Sequence, residues 1–163
     1  MQVFRWLDKY FEEIFLGVFM FIMTTVIALQ VFMRYVLQDS LPWSEELARY
    51  CFIWLVYLGI SYAVKTERHM RIDVLHLVLK DKGKAILGII GNLVFLAFAV
   101  FAIVYGSQIS MKLLTWGQTS PALSIPVGLV YLAGPVGMGL TAIRLIQQLV
   151  QHTRFFTGKE IIR

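Results

Sequence analysis

Four long stretches of this chain contain no aspartate, glutamate, lysine or arginine, and all 25 charged residues lie between or outside them. The stretches cover residues 14–33, 50–64, 85–111 and 125–143. A helix crosses the hydrocarbon core with roughly 17 to 25 mostly apolar residues, and lipid offers no water to satisfy an open strand edge. The pattern therefore predicts an all-α integral membrane protein, a single membrane domain of residues 1–163. Its four transmembrane helices are expected at about 14–35, 43–64, 85–111 and 125–149.

Composition argues against several kinds of chemistry. The chain is 58% hydrophobic, with a mean hydropathy of +0.71, which leaves only short connectors outside lipid. A single cysteine, Cys51, excludes a disulfide framework and a zinc site built from several thiolates. All three histidines lie outside the uncharged stretches, so a pair of haem ligands within the membrane is excluded. We predict that the chain is not an enzyme and carries no metal or cofactor.

The basic residues are distributed unevenly among the connectors. If the N-terminus is cytoplasmic, 12 of the 15 lysines and arginines fall on the cytoplasmic side. Short cytoplasmic loops of membrane proteins carry this excess, so both termini are predicted to be cytoplasmic. The net charge of +5 then reflects topology and attraction to anionic membrane lipids. We expect no nucleic-acid partner.

Two segments outside the spans have helical patterns. Residues 2–13 place apolar and charged side chains on different sides of a helix, which predicts an interfacial N-terminal segment. A simple extension of the first span is the alternative. Residues 70–79 repeat apolar side chains at helical spacing, which predicts a short cytoplasmic amphipathic helix between helices two and three. His69 and Asp73 are four residues apart there and could hydrogen-bond on one face.

The connector at residues 36–46 is short and acidic, so it predicts an antiparallel hairpin of helices one and two. Ser40 or a neighbour could cap the second helix, and proline is tolerated in a first turn. Glu45 and Glu46 would lie where the helix dipole favours negative charge. Arg49, four and three residues later, is expected to pair with one of them.

Polar and small residues within the spans predict helix packing. Interhelical hydrogen bonds are the expected role of six polar side chains. These are Thr24, Thr25, Gln30, Asn92, Ser107 and Gln108. Pro135 should kink the fourth helix, and the glycines around it should allow close packing.

Because no ionisable group lies at mid-membrane, where a charge is retained only for function, an accessory subunit is the favoured functional class. An autonomous transporter or channel formed by oligomerisation is the alternative, and a membrane enzyme is the weakest.

Four motifs occur in order between residues 30 and 75. They are Gln30-Val-Phe-Met-Arg34-Tyr35, Pro42-Trp43-Ser44-Glu45-Glu46-Leu47-Ala48-Arg49-Tyr50, Gly59, and His69-Met70-Arg71-Ile72-Asp73-Val74-Leu75. This ordered set resembles the small permease subunit of TRAP transporters, the DctQ-like family. The length, the four spans and the glycine-rich last helix agree with that family.

The resemblance implies a role in a tripartite, sodium-coupled uptake system of a bacterial inner membrane. A periplasmic binding protein would deliver an organic acid anion, such as sialic acid or a C4-dicarboxylate, to the membrane complex. A large permease subunit would carry the substrate and sodium sites, and this chain would widen its static scaffold. The sequence leans towards the sialic-acid branch.

Two sets of residues are candidate sites. Those expected to be structural or to lie at a subunit interface are Arg34, Trp43, Glu45, Glu46, Arg49, His69 and Asp73. At the hairpin, a capped helix with a surface ion pair and a contact with another subunit are both open. Gln118, Thr119 and Ser120 are candidates for docking of the binding protein, with an ordinary polar loop as the alternative.

Overall fold

The computed structural model describes residues 2–66 and 81–156. Helix α1 ends in a short π-helical segment, and the last span is divided between a short helix and a long one. The elements are α1 (Gln2–Phe32), the π segment (Met33–Leu37), α2 (Pro42–Lys65), α3 (Asp81–Thr115), α4 (Val127–Tyr131) and α5 (Ala133–Phe156). These described residues form helices and connectors and contain no β-strand.

The predicted four-span helical fold is confirmed. Four segments are long and apolar enough to cross a membrane, at Glu12–Leu37, Pro42–Lys65, Gly88–Thr115 and Val127–Val150. Residues 2–32 form one continuous helix, and the interfacial position of its first turns stays a prediction. The predicted cytoplasmic helix at 70–79, with His69 and Asp73, lies outside the described residues.

A tight connector joins α1 to α2. Gln38 takes a left-handed conformation (φ 56°), and its backbone N–H donates to the carbonyl of Met33. Pro42 occupies the first turn of α2, as predicted, where its missing N–H costs nothing. The N-cap is Leu41 and provides no side-chain cap, so the expected capping by Ser40 is wrong. Instead, the Ser44 hydroxyl lies 2.7 Å from the Leu41 carbonyl oxygen and 2.6 Å from Gln30 Oε1, and its single proton can be donated to either.

The last span is interrupted at Leu132, between α4 and α5. Pro135 explains the position of this break. A proline has no N–H to donate to the carbonyl four residues earlier, and its ring collides with that carbonyl. Here the fourth residue back is Tyr131, the last residue of α4. The predicted kink caused by Pro135 is therefore confirmed, and it lies at Leu132, one turn before the proline.

The helices pack in a row and not in a closed ring. Helix α1 packs on α2, α2 on α5, and α5 on α3, while α4 packs on α3. Among the described residues there is no comparable packing of α1 against α3. Helices α1 and α3 therefore lie at the two edges of a layer, with large apolar side chains facing outward. Phe21 on α1 is 73% exposed and Val94 on α3 is 66% exposed.

Two glycines allow close contacts within this layer. A Cβ on Gly137 would lie 2.6 Å from the Cβ of Tyr57, so α5 and α2 touch there without an intervening side chain. A Cβ on Gly128 would lie 2.8 Å from the carbonyl oxygen of Ser110, where α4 meets α3. The predicted packing role is confirmed at these two positions. By contrast, no atom lies within 4 Å of the position that a Cβ on Gly139 would occupy.

Candidate functional site

The connectors at one end of the layer are held together by Glu46, near the start of α2. Its Oε2 accepts the backbone N–H groups of Ala122 and Leu123, each at 2.9 Å. Its Oε1 accepts the hydroxyl of Tyr50 at 2.5 Å. The carboxylate is 9% exposed and is 76 residues from Ala122 in sequence. Glu46 therefore ties α2 to the connector between α3 and α4.

That connector, residues 117–126 (the 117–126 loop), is folded around Ser120. Ser120 is 2% exposed, and its Oγ accepts the N–H of Ile125 at 3.2 Å. The Ser120 N–H donates to the carbonyl of Ile125 at 2.8 Å, and the Ser124 N–H donates to the carbonyl of Ser120. Gly117 and Ser124 have positive φ angles of 65° and 55°. The loop is thus a compact turn with its own hydrogen bonds.

The three residues predicted for docking differ in exposure. Gln118 and Thr119 are exposed, so they are available to a partner. The side chain of Ser120 is buried and organises the loop, which corrects the expectation that it faces a partner. The sequence gives no direct sign of this difference, because all three are small or medium polar residues in one connector.

A second polar cluster joins α1 to α2 at the same end. Gln30 is 8% exposed, and its Oε1 accepts the Leu41 N–H at 3.0 Å and the Ser44 hydroxyl at 2.6 Å. Its Nε2 lies 3.5 Å from the Oε1 of Glu45. Glu45 also lies 3.8 Å from Arg34, in a pair whose side chains are more than half exposed. Such an exposed pair contributes little to stability, so Gln30 is the group that fixes the hairpin.

The predicted ion pair of Arg49 with Glu45 or Glu46 does not form. Glu46 is turned towards the 117–126 loop, and Glu45 lies nearest to Arg34 and Gln30. Two amide donors and a phenol saturate Glu46 better than one exposed guanidinium on the same helix would. Arg49 and Trp43 are both exposed on α2 and lie on the outside of the hairpin.

The opposite end of the layer contains a buried charge cluster, the Glu12 network. Glu12 on α1 is fully buried, and its Oε1 accepts from Arg144 Nε on α5 at 3.0 Å. The Ser61 hydroxyl donates to the same oxygen at 3.0 Å. The Lys65 ammonium at the end of α2 lies 2.8 Å from Oε2. Arg144 also donates to Gln147 at 3.0 Å. One carboxylate therefore joins three helices.

Sequence reasoning missed the Glu12 network. The helical pattern of residues 2–13 predicts that Glu12 lies on the charged side of the N-terminal segment, whereas the structure buries it between helices. Arg144 directly follows the uncharged stretch 125–143 and resembles an ordinary surface anchor. A buried carboxylate must be paired to be tolerable, but the partner lies 132 residues away.

The predicted interhelical hydrogen bonds occur at two of the six candidate positions. Gln30 bonds to α2 as described, and Asn92 on α3 donates to Gln148 on α5 at 3.4 Å. Gln148 also donates to the Val64 carbonyl on α2. Ser107 donates to the Val104 carbonyl of its own helix. The other three, Thr24, Thr25 and Gln108, are exposed on the outer helices.

The hydrogen bonds and ion pairs described above position helices and a loop. Within residues 2–66 and 81–156, no cluster of three or more His, Cys, Asp or Glu could hold a metal ion. Cys51 is buried in α2. The polar networks around Glu46, Gln30 and Glu12 all lie at the ends of the spans.

The model of the family described as "Tripartite ATP-independent periplasmic transporters, DctQ component" matches residues 23–155. The chain belongs to the DctQ family. The resemblance noted from the motifs is thereby confirmed, and four spans together with this family make the chain a multi-pass inner-membrane protein. The DctQ family is a transporter component and not a class of enzyme.

Three relatives extend the DctQ comparison. The chain is 36% identical over 155 residues to the isethionate TRAP transporter permease protein DctMQ of Oleidesulfovibrio alaskensis, covering 91% of this chain and 24% of that protein. It is 31% identical to a TRAP transporter small permease protein of Haemophilus influenzae, covering 86% of each chain. It is 30% identical to the sialic acid TRAP transporter small permease protein SiaQ of Vibrio cholerae, covering 74% of each.

Proposed function

We propose that this chain is the small membrane subunit of a TRAP transporter and forms part of the static scaffold of a large permease subunit. The system takes up an organic acid anion, sialic acid or a C4-dicarboxylate, coupled to sodium. The observation that carries this proposal is the open row of helices. Helices α1 and α3 each expose large apolar side chains, and among the described residues these two helices do not pack on each other.

The DctMQ relative supports a large companion. This chain corresponds to only 24% of that permease protein. In that relative, the region similar to this chain and the rest of the permease protein belong to one polypeptide, so they occur in a one-to-one ratio. We infer that the remaining three quarters of that protein correspond to a separate large permease subunit for this chain, and that this subunit binds substrate and sodium.

The proposed topology places residues 1–163 in one membrane domain with both termini in the cytoplasm. The connector at 38–41 and the 117–126 loop then face the periplasm, and the Glu12 network faces the cytoplasm. The basic residues agree with this orientation, because 12 of 15 are then on the cytoplasmic side. Membrane lipids cover the outer helix faces that the large subunit leaves free.

In this topology, some candidate residues lie at the periplasmic end of the spans and others at the cytoplasmic end. At the periplasmic end, Arg34 and Glu45 brace the hairpin, Glu46 braces the loop, and the exposed Trp43 and Arg49 contact the large subunit. Gln118 and Thr119 meet the binding protein. At the cytoplasmic end, His69 and Asp73 brace the helix expected at residues 70–79.

The substrate is proposed from the relatives. Their names include sialic acid and isethionate, so the substrate differs among members of the family. Sialic acid is the candidate that we test first, although the isethionate relative is 36% identical to this chain and the sialic acid relative 30%.

Reconstitution in liposomes tests the proposal. Vesicles would contain the large subunit with or without this chain, and radiolabelled sialic acid and its purified binding protein would be added outside under an inward sodium gradient. We expect uptake only with both membrane subunits, the binding protein and sodium. Uptake by this chain alone would instead support an autonomous oligomeric transporter or channel, and uptake by the large subunit alone would contradict the scaffold role.

A further inference from the structure

We propose that Glu46 is a positioning residue for docking of the periplasmic binding protein, because its carboxylate holds the 117–126 loop in the shape that the binding protein contacts. This inference rests on the proposed function and adds a residue that acts through the loop. Glu46 itself is buried beneath the loop and does not reach a partner.

Two of the three hydrogen bonds described for Glu46 join it to this loop. Two consecutive backbone N–H groups, of Ala122 and Leu123, converge on one carboxylate oxygen at 2.9 Å. An anionic acceptor makes such bonds shorter and stronger than a neutral one does. The second oxygen is occupied by Tyr50, one turn further along α2. The loop is thereby fixed to α2, although its two ends belong to α3 and α4.

The loop separates residues that organise it from residues that it presents. Ser120 is buried and closes the turn from inside. Gln118, Thr119, Pro121 and Ala122 are exposed around it. Trp116, directly before the loop, is 72% exposed. This surface lies between the ends of two spans and combines an indole with uncharged hydrogen-bonding groups.

The chemistry of this surface identifies the kind of partner. No charged side chain occurs between Lys112 and Arg144, so the loop offers no ion to a substrate anion or to sodium. Exposed tryptophan is instead enriched at protein interfaces, and the neutral polar groups beside Trp116 can form hydrogen bonds with a partner. The soluble partner available on this side of a TRAP transporter is the binding protein. Recognition would therefore depend on the shape of the loop.

Loop shape governs affinity through preorganisation. A surface that is already ordered does not lose conformational entropy when a partner docks, so it binds more tightly than a flexible one with the same contacts. Without the Glu46 carboxylate, two adjacent amides lose their acceptor and the loop can leave α2. Docking should weaken, whereas the transport step inside the large subunit should not change.

The test is a titration of substrate-loaded binding protein against the reconstituted membrane complex. For Glu46→Ala, we expect the half-saturating concentration of binding protein to rise about tenfold, with a maximal uptake rate within about twofold of the original. Glu46→Gln keeps an oxygen that can accept from both amides, so it should restore most of the affinity. Asp39→Ala is the matched control, since it removes an exposed carboxylate from the neighbouring connector and should leave both quantities unchanged.

A second variant covers the case in which Glu46→Ala does not assemble with the large subunit. Ala122→Pro removes one of the two N–H donors and leaves the carboxylate in place, and it should also raise the half-saturating concentration. An unchanged half-saturating concentration in the assembled variant, or a fall in maximal rate alone, would overturn the role of Glu46. If the unaltered complex shows no saturable response to binding protein, the proposed function itself fails.

Discussion

The Glu12 network permits a quantitative prediction, because it concentrates the charge interactions of three helices on one carboxylate. Glu12→Gln keeps the size of the side chain and an oxygen for Ser61, but removes the negative charge that contacts both Arg144 and Lys65. The side chain of Arg144 is 9% exposed and that of Lys65 is 20% exposed. Breaking a buried ion pair by removing one partner costs about 3–5 kcal/mol.

The lower part of that range applies here. Lys65 lies at the end of α2 and can move its ammonium towards the surface, and Arg144 keeps its bond to Gln147. We expect Glu12→Gln to lower the free energy of unfolding by about 3 kcal/mol. For chains of this length, each kcal/mol shifts the melting temperature by about 2–4 °C, so the expected fall is about 6–12 °C.

The single cysteine supplies the assay. Cys51 is 5% exposed, so a thiol-reactive fluorophore labels the purified chain in detergent only as it unfolds. Glu13→Gln is the matched control, because Glu13 is the neighbouring residue and is exposed. It should shift the melting temperature by no more than about 2 °C, as a surface substitution does.

Two results would refute this reasoning. One is a melting temperature for Glu12→Gln that matches that of Glu13→Gln. The other concerns the double variant Glu12→Met and Arg144→Met, in which an apolar pair replaces the buried ions. Such replacements are often neutral or stabilising, so the double variant should melt above Glu12→Gln. If it melts lower still, the charge is not the source of the loss.

Two further predictions use the same melting assay. Gly137→Ala should lower the free energy of unfolding by about 1–3 kcal/mol, because the new methyl group collides with Tyr57. Gly139→Ala, where the new methyl group meets open space, should be neutral or stabilising. Equal shifts in melting temperature for the two variants would contradict the close contact at Gly137. Gln30→Leu should cost about 1–3 kcal/mol, because the Leu41 N–H loses its acceptor and the Ser44 hydroxyl loses one of its two acceptors. Gln108→Leu on the exposed face of α3 should change the melting temperature little.

The spans could be predicted from the sequence because lipid acts on composition directly. A run such as 85–111 must be helical whatever its neighbours are, since no other backbone conformation satisfies its own polar groups there. Pro135 was equally predictable, because its effect reaches only four residues back along the chain. These features need no knowledge of tertiary contacts.

The partners of charged residues could not be predicted in the same way. Local spacing on α2 favours a pair between Glu46 and Arg49, and that pairing is plausible for an isolated helix. In the folded chain two backbone amides compete for the same carboxylate, and they come from a loop 76 residues away. Glu12 was misplaced for the same reason, since its partner on α5 is 132 residues distant.

These two carboxylates also explain how an open row of helices can keep its shape. A row buries less side-chain surface than a closed bundle, and apolar contacts between lipid-embedded helices gain little from the hydrophobic effect, because lipid is as apolar as the side chains. Directional bonds must supply the geometry instead. Glu12 fixes α1, α2 and α5 at one end, and Glu46 fixes α2 to the 117–126 loop at the other. Both lie outside the middle of the spans, so neither places a charge on the outer faces of α1 and α3.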